Sequence, residues 1–306
     1  MMIQNSHTIL LIGHGSPDPA GNAEFLDFAR QLEHKLAVPT QPCFLELAEP
    51  SIGAGFARCV AQGAQEIAVL PLFLGPGRHQ KRDVPGLLAA AQEQHPQVSL
   101  RYGKAVGPHD ALIAALSERA QAALARSSVA ATDAETALLV VGRGSKDTQS
   151  NAELARLARM LYERQSYGMV EYAFQLVVAP NVGQAIERCV QLGARRVVVL
   201  PYLLFTGVVR DDIVAQADAA QALHPQVEVL VGEHLFPHPG LLTAVAERYH
   251  ELCAGGSMLM YDLGDYRQYA GDDDDDDDHH HHHHHGQHHH HHDQLDDDHD
   301  HGDEQP

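Results

Sequence analysis

The stretch Ile9-Leu10-Leu11-Ile12-Gly13-His14-Gly15-Ser16 returns 129 residues later as Leu138-Leu139-Val140-Val141-Gly142-Arg143-Gly144-Ser145, with every apolar and glycine position kept and the histidine replaced. A continuous apolar run of this kind marks a strand buried on both faces, and the glycines let the chain turn sharply after it. The copying extends outward. Residues 44–74 and 174–204, offset by 130, are identical at 12 of 31 positions, among them Pro50/Pro180, Gly53/Gly183, Cys59/Cys189, Gly63/Gly193 and Pro71/Pro201, which chance does not produce. The chemistry was not copied with the scaffold: Glu46 stands opposite Leu176, Glu49 opposite Ala179 and, just beyond, His79 opposite Val209.

Each half reads as four strand–helix units. In the first, residues 8–12 form a strand, and Phe25, Phe28, Leu32 and Leu36 then recur at helical spacing. A strand over 41–47 precedes a helix over 52–62, a strongly apolar strand spans 66–73, a helix 83–94, a strand 98–104 and a closing helix 109–126. The second half repeats the order, down to His95-Pro96-Gln97-Val98 against His224-Pro225-Gln226-Val227. This alternation predicts an α/β fold of two tandem lobes, each a parallel sheet with helices on both faces.

Length and composition agree. A chain of 306 residues with 44% hydrophobic content suffices for two domains of about 125 residues, each burying its own core. They are placed at 1–128 and 135–255, joined by a small, polar surface linker at 127–134. Cys43, Cys59, Cys189 and Cys253 include no CxxC pair, so neither a disulfide framework nor an iron–sulfur cluster is expected; Cys59 and Cys189 read as small core residues. No apolar run approaches bilayer-spanning length, and the N-terminus lacks the regions of a signal peptide. A cytoplasmic protein without a membrane partner is expected.

The net charge of −20 belongs mostly to the tail, residues 256–306, where sixteen Asp/Glu meet one Arg. The mildly acidic remainder has no basic stripe, which argues against nucleic acid as a partner. From about residue 271 the tail is seven Asp, seven His, Gly286-Gln287, five His and then mixed Asp and His, so that fourteen of the 24 histidines lie there. Lacking apolar residues, this segment is expected to be disordered and to act as a weak multisite sink for Co²⁺, Ni²⁺ or Zn²⁺. The stretch 258–269 is more apolar and is expected to dock as an extra element.

In parallel sheets, ligands bind beyond the carboxyl ends of the strands. His14 follows the first strand, Glu46 ends the second and His79 follows the third, so all three converge on one edge. Two imidazoles and a carboxylate suit a borderline divalent cation and leave coordination positions open. Their joint loss in the second half separates them from structural residues, whose drift would not favour all three. No GxxxxGK[ST] occurs, and no nucleotide is implied. His109 and His238, repeat equivalents after prolines at helix starts, read as structural, while His7, His34, His95, His224, His234 and His250 are expected to face solvent or local partners.

The pattern Gly13-His14-Gly15-Ser16, then Phe44-Leu45-Glu46-Leu47-Ala48-Glu49-Pro50-Ser51-Ile52, then Leu70-Pro71-Leu72-Phe73-Leu74 with Gly77, His79 and Asp83-Val84-Pro85 closely resembles the CbiX/SirB class II tetrapyrrole chelatases in their long, duplicated form. The resemblance runs from residue 8 to about 250. It implies flavodoxin-like lobes related by a pseudo-twofold around a cleft, one chain replacing a homodimer of short chains, and metal insertion into sirohydrochlorin without ATP. By motif, His14, Glu46 and His79 become the metal-handling and proton-accepting residues, with Glu49 as the alternative carboxylate. Sirohydrochlorin bears eight carboxylates, so Ser16 and the cations Arg78, Lys81, Arg82, Arg143, Lys146 and Arg210 in or beside the facing loops become its binding residues. The substrate metal is then Co²⁺, with Fe²⁺ and Ni²⁺ open, and no further cofactor is implied. Two departures stand out: the C-terminal MxCxxC motif of some long members is absent, and Gln80 follows His79 where the family often has Val. A non-catalytic cobalt or nickel store is the competing class of function.

Overall fold

The computed structural model describes residues 7–255, which lie within one compact unit. The tail, including the expected docking of 258–269, lies outside the described residues. The first half runs β1 (His7–Gly13), α1 (Pro19–Leu36), β2 (Thr40–Phe44), α2 (Ile52–Ala61), β3 (Glu66–Pro71), a π-helical turn (His79–Asp83), α3 (Val84–Gln94), β4 (Ser99–Tyr102) and α4 (Asp110–Leu124). The second runs β5 (Thr136–Gly142), α5 (Thr148–Tyr162), β6 (Met169–Phe174), α6 (Val182–Gln191), β7 (Arg196–Pro201), α7 (Val208–Leu223), β8 (Glu228–Val231) and α8 (Pro239–Cys253). Two parallel sheets result, ordered β2-β1-β3-β4 and β6-β5-β7-β8. Their registers match, with Leu11 opposite Leu70 in one and Val140 opposite Leu200 in the other. The second and fourth strands of the first lobe, Thr40–Phe44 and Ser99–Tyr102, are shorter than the sequence suggests; beyond the second, Leu45 and Glu46 bond the loop after β1.

Alternation along the buried strands assigns each side chain to a layer. Ile9 and Leu11, with Leu138 and Val140, face an inner layer built from α1, α4, α5 and α8 of both halves. Leu10 and Ile12 face an outer layer with α2 and α3, and Leu139 and Val141 face one with α6 and α7. The expectation of two independent cores is therefore corrected: each lobe owns an outer core, and the inner core is common. Polar contacts across it obey a pseudo-twofold. His109 caps α4 through the Ala111 N–H and pairs with Glu247 of α8 at 3.0 Å, while His238 caps α8 through the Gly240 N–H and pairs with Glu118 of α4 at 3.0 Å. Both histidines are structural, as read from the sequence. Cys59 and Cys189 are buried core residues, with thiols pushed up to about 12 by burial. No helix among the described residues is long and apolar enough to cross a membrane.

The join between halves is not a free surface linker. Buried Arg196 donates to the Ser127 and Thr136 hydroxyls and to the carbonyls of Val129 and Ala131. Glu228 accepts hydrogen bonds from Ser127 and Ser128. Burial pushes the Glu228 carboxyl up, but those bonds and the Arg196 charge outweigh it and hold it below its ordinary range. Removing the guanidinium strands buried acceptors, so Arg196→Ala should cost about 2–4 kcal/mol, read as a lower urea midpoint. Glu228 contributes stability above its ordinary pKa of 4.5 that is lost as pH falls through the depressed folded value. Glu228→Gln should accordingly flatten the acid limb of the stability curve below that pH, and an unchanged limb would exclude the contribution.

Candidate active site at the carboxyl edge of the first sheet

Two backbone bonds set the site. As β1 and β2 end, Leu45 N–H donates to the Gly13 carbonyl and Glu46 N–H to the His14 carbonyl, at 2.9 and 3.0 Å, extending the pairing into both loops. The approach is so close that a Cβ on Gly15, which sits at φ 95°, would lie 1.8 Å from the Glu46 carbonyl oxygen. Only glycine fits, and its mirror Gly144 meets the Leu176 carbonyl in the same way. His14 Nε2 then stands 3.4 Å from Glu46 Oε1, and His14 Nδ1 lies 3.3 Å from its neighbour's carbonyl, that of Gly15.

The third element delivers His79 from the π turn. Its ring lies edge-on to His14, with centroids 5.0 Å apart and planes at 88°. Its Nδ1 is 2.8 Å from Asp83 Oδ2. Burial pushes the Asp83 carboxyl up, but hydrogen bonds and charge from His79 and Arg82 prevail and hold it below the usual range. An ionised carboxylate on Nδ1 fixes the ring and presents Nε2 outward. Asp83 thus joins the site as the partner of His79, a placement for which its spacing of four from His79 at a helix start is the sequence signal.

His14 is held below the ordinary imidazole range, first by burial, then by the charge of His79 and of Arg143; Glu46 and the Gly15 carbonyl pull the other way without prevailing. Neutral imidazole is the form that binds metal or accepts a proton. The Arg143 effect shows that the residue replacing histidine in the second lobe lies within electrostatic reach of the histidine it replaced. His14, Glu46 and His79 share one edge, but among the described residues no three His, Cys, Asp or Glu side chains close into a cation cage. His14 Nε2 faces Glu46 while His79 Nδ1 is turned to Asp83, so the set is open.

The expected substrate cations divide. Arg143 and Lys146 are exposed beside the edge. Lys81 instead reaches 2.6 Å to Asp147, the N-cap of α5, and ties the lobes together. Arg82 pairs with Asp83 at 3.2 Å, the Arg78 Nε is buried, and Arg210 pairs with Asp211 and Glu233. The Ser16 hydroxyl accepts the Asp18 N–H at 3.0 Å, an arrangement repeated by Ser145 and Asp147, so its visible role is to shape the loop. Glu49 turns back on its own loop, where its carboxylate accepts the Ser51 N–H at 2.8 Å. A further interlobe tie escaped the sequence reading: Glu24 accepts the Thr206 N–H at 2.7 Å and meets buried His234 at 3.1 Å.

The comparisons with known proteins agree with this architecture. The CbiX family model matches residues 8–123 and again 137–252. The chain is 35% identical over 262 residues to the sirohydrochlorin cobaltochelatase of Priestia megaterium, covering 85% of this chain and 84% of that one. It is 31% identical over 234 residues to the sirohydrochlorin ferrochelatase of the same organism, covering 76% and 85%. Among solved structures, SirB from Bacillus subtilis with Fe³⁺ superposes with a TM-score of 0.72 at 29% identity, over 84% of this chain and 99% of that one. Two copies of one family model, on two copies of one sheet that differ in their edge chemistry, place the chain in the CbiX family.

Proposed function

We propose that the protein is a sirohydrochlorin cobaltochelatase, inserting Co²⁺ into the macrocycle without ATP as a step of cobalamin biosynthesis. The observation that carries this reading is the one-sided edge: His14, Glu46 and His79 stand together on the first lobe, and Arg143 faces them from the second. Insertion of a divalent ion releases two pyrrole protons, so the site must hold the incoming metal and take up protons near neutral pH. Neutral His14 and the Asp83-oriented His79 supply nitrogen donors for the metal, and Glu46, 3.4 Å from His14, is the adjacent proton acceptor. An open donor set suits a metal that is substrate and must leave with the product. Arg143 and Lys146 supply cations for the carboxylates of the tetrapyrrole, with Arg78, Arg82 and Arg210 behind them. One chain supplies both walls of the cleft, and the reading takes the protein as a cytoplasmic monomer.

Iron is the second reading. The ferrochelatase of Priestia megaterium is nearly as similar as the cobaltochelatase, and nitrogen and carboxylate donors serve Fe²⁺ as well as Co²⁺. The histidine-rich tail favours cobalt or nickel handling. Incubating the pure protein with sirohydrochlorin and Co²⁺, Fe²⁺ or Ni²⁺ in turn, and following the absorbance change, separates them; no insertion of any metal would leave a storage protein.

His14→Ala and His79→Ala should each lower the insertion rate by ~10²–10³-fold with little change in melting temperature, since neither side chain belongs to a core. Glu46→Gln should lose a similar factor because an amide accepts no proton, whereas Arg143→Ala should lose less than about tenfold. Near-wild-type rates in both histidine variants would refute the site, and a larger loss at Glu49 than at Glu46 would move the carboxylate.

Deleting residues 271–306 should leave the maximal rate at saturating metal nearly unchanged while slowing insertion from a chelator-buffered Co²⁺ series. A tethered run of imidazoles and carboxylates raises the local ion concentration without shaping the cleft. Its affinity should fall below about pH 6, as imidazoles of reference pKa ~6.5 become protonated. Coincident curves for full-length and truncated protein at every free-metal level would rule out delivery.

A further inference from the structure

The two lobes fall out of register at one place. Pro71 and Pro201, which end β3 and β7, are offset by 130, whereas the ends of α3 and α7, Gln94 and Leu223, are offset by 129. The buried pairs Val84/Ile213, Leu88/Ala217 and Ala91/Ala220 keep the offset of 129. The first lobe therefore holds one residue more between its third strand and the body of its third helix. Both helices open on the same four-residue bond, from the Lys81 N–H to the Gly77 carbonyl at 3.2 Å and from the Asp211 N–H to the Gly207 carbonyl at 3.1 Å; the first lobe then absorbs its extra residue as the π turn His79–Asp83. The pairing of His79 with Val209 read from the sequence lies within that shared first turn, and the registers part between it and the buried pair Val84/Ile213.

A π turn is paid for in hydrogen bonds. The Val84 N–H, which in an α-helix would reach the Gln80 carbonyl, goes one residue further back to the His79 carbonyl. The Gln80 carbonyl, released from the ladder, accepts the buried Tyr102 hydroxyl at 2.9 Å. Tyr102 ends β4, and the matching end of β8 is Val231, which has no hydroxyl to offer. The inserted turn and the group that satisfies its released carbonyl thus occur together, in the lobe that holds the imidazoles. The Gln80 side chain, 1% exposed, finds no hydrogen-bond partner for its amide nitrogen or oxygen, so the residue is kept at a cost in stability.

We propose that the extra residue at Gln80 and the Tyr102 hydroxyl form a register lock that positions His79 against Asp83 and toward His14. Tyr102 and Gln80 are positioning residues, and the proposal rests on the chelatase reading only for its kinetic readout. Removing one residue from the turn swings everything before it by ~100° about the helix axis and by ~1.5 Å along it. His79 then stands three rather than four residues from Asp83, and its imidazole leaves the edge shared with His14. Displacements of about 1 Å at a reacting group cost ~10²-fold in rate.

The test uses the full-length chain, with the insertion rate, the imidazole ¹⁵N shifts of His79 and the d–d spectrum with Co²⁺ alone as readouts. Deletion of Gln80 should lower kcat ~10²-fold, to near the level of His79→Ala, with KM for sirohydrochlorin within ~3-fold, and should move the His79 resonances and the Co²⁺ spectrum. Gln80→Met, which keeps the residue count and shape but drops the amide, should retain the rate within ~3-fold and raise the melting temperature. Tyr102→Phe should lower kcat ~10-fold and shift the His79 resonances at temperatures well below unfolding. Wild-type rates and unmoved His79 resonances in the deletion overturn the lock. Should the deletion fail to fold, the same result in Tyr102→Phe overturns it, as does a loss in Gln80→Met equal to that of the deletion. If the wild-type chain inserts no metal, the chelatase reading fails by itself, and the His79 resonances still decide the lock.

Discussion

The inner apolar layer is the constraint on which the rest depends. One face of each sheet, Ile9 and Leu11 on one side and Leu138 and Val140 on the other, is buried against α1, α4, α5 and α8, so neither sheet can be completed alone. Burying one large aliphatic or aromatic side chain contributes about 1.5–3 kcal/mol, against about 0.5–1.5 for a typical hydrogen bond. The layer therefore holds the lobes together, and the polar ties across it, His109 with Glu247, His238 with Glu118, Lys81 with Asp147 and Glu24 with Thr206, set the angle at which they meet. That angle brings the two carboxyl edges near enough for the Arg143 charge to add to burial and His79 in holding the His14 imidazole below its ordinary range.

Duplication with divergence then explains why one edge differs from the other. Both lobes keep the glycine that lets the first loop touch the second, because that contact is backbone geometry and any side chain would break it. What hangs from the shared backbone has diverged. Where the first lobe has Glu46, the second has the exposed Leu176, and where the first has His14, the second has Arg143. A guanidinium binds carboxylates and repels metal ions. Under the proposed function, the replacement suits the second edge to the carboxylates of the substrate and leaves the metal donors to the first.

Elements whose signal is local were legible in the sequence. The apolar runs of β1, β3, β5 and β7, the helices after them and the repeat itself follow from periodicity, and His14, Glu46 and His79 share an edge because parallel topology leaves no alternative. What a residue meets from the other half was not legible. The helices α4 and α8 carry ordinary buried faces, and nothing in their spacing says that they pack on each other rather than on solvent-capped sheets of their own. Lys81 has the composition of a substrate cation, yet its partner Asp147 lies 66 residues away, and Arg196 reads as a surface residue until the linker folds over it. Asp83 lies between these cases: its spacing from His79 was visible, but its role depends on the turn that joins them.

That turn shows how stability and placement are separated in this molecule. The strands and the capped helices recur in both lobes in the same order and register. The segment that presents His79 breaks the local rules three times, with a π turn in place of an α turn, a carbonyl satisfied from another strand and a buried amide without a partner. A sequence selected for stability alone would have kept the unbroken α-helix that α7 shows. Local departures of this kind persist where surrounding structure over-determines them, and here that structure is Tyr102 below, Asp83 beside and the Lys81–Asp147 tie across the lobes. The extra residue sits where its effect on the imidazole is largest, at the first turn after the strand, and the helix beyond it returns at once to the register of its twin.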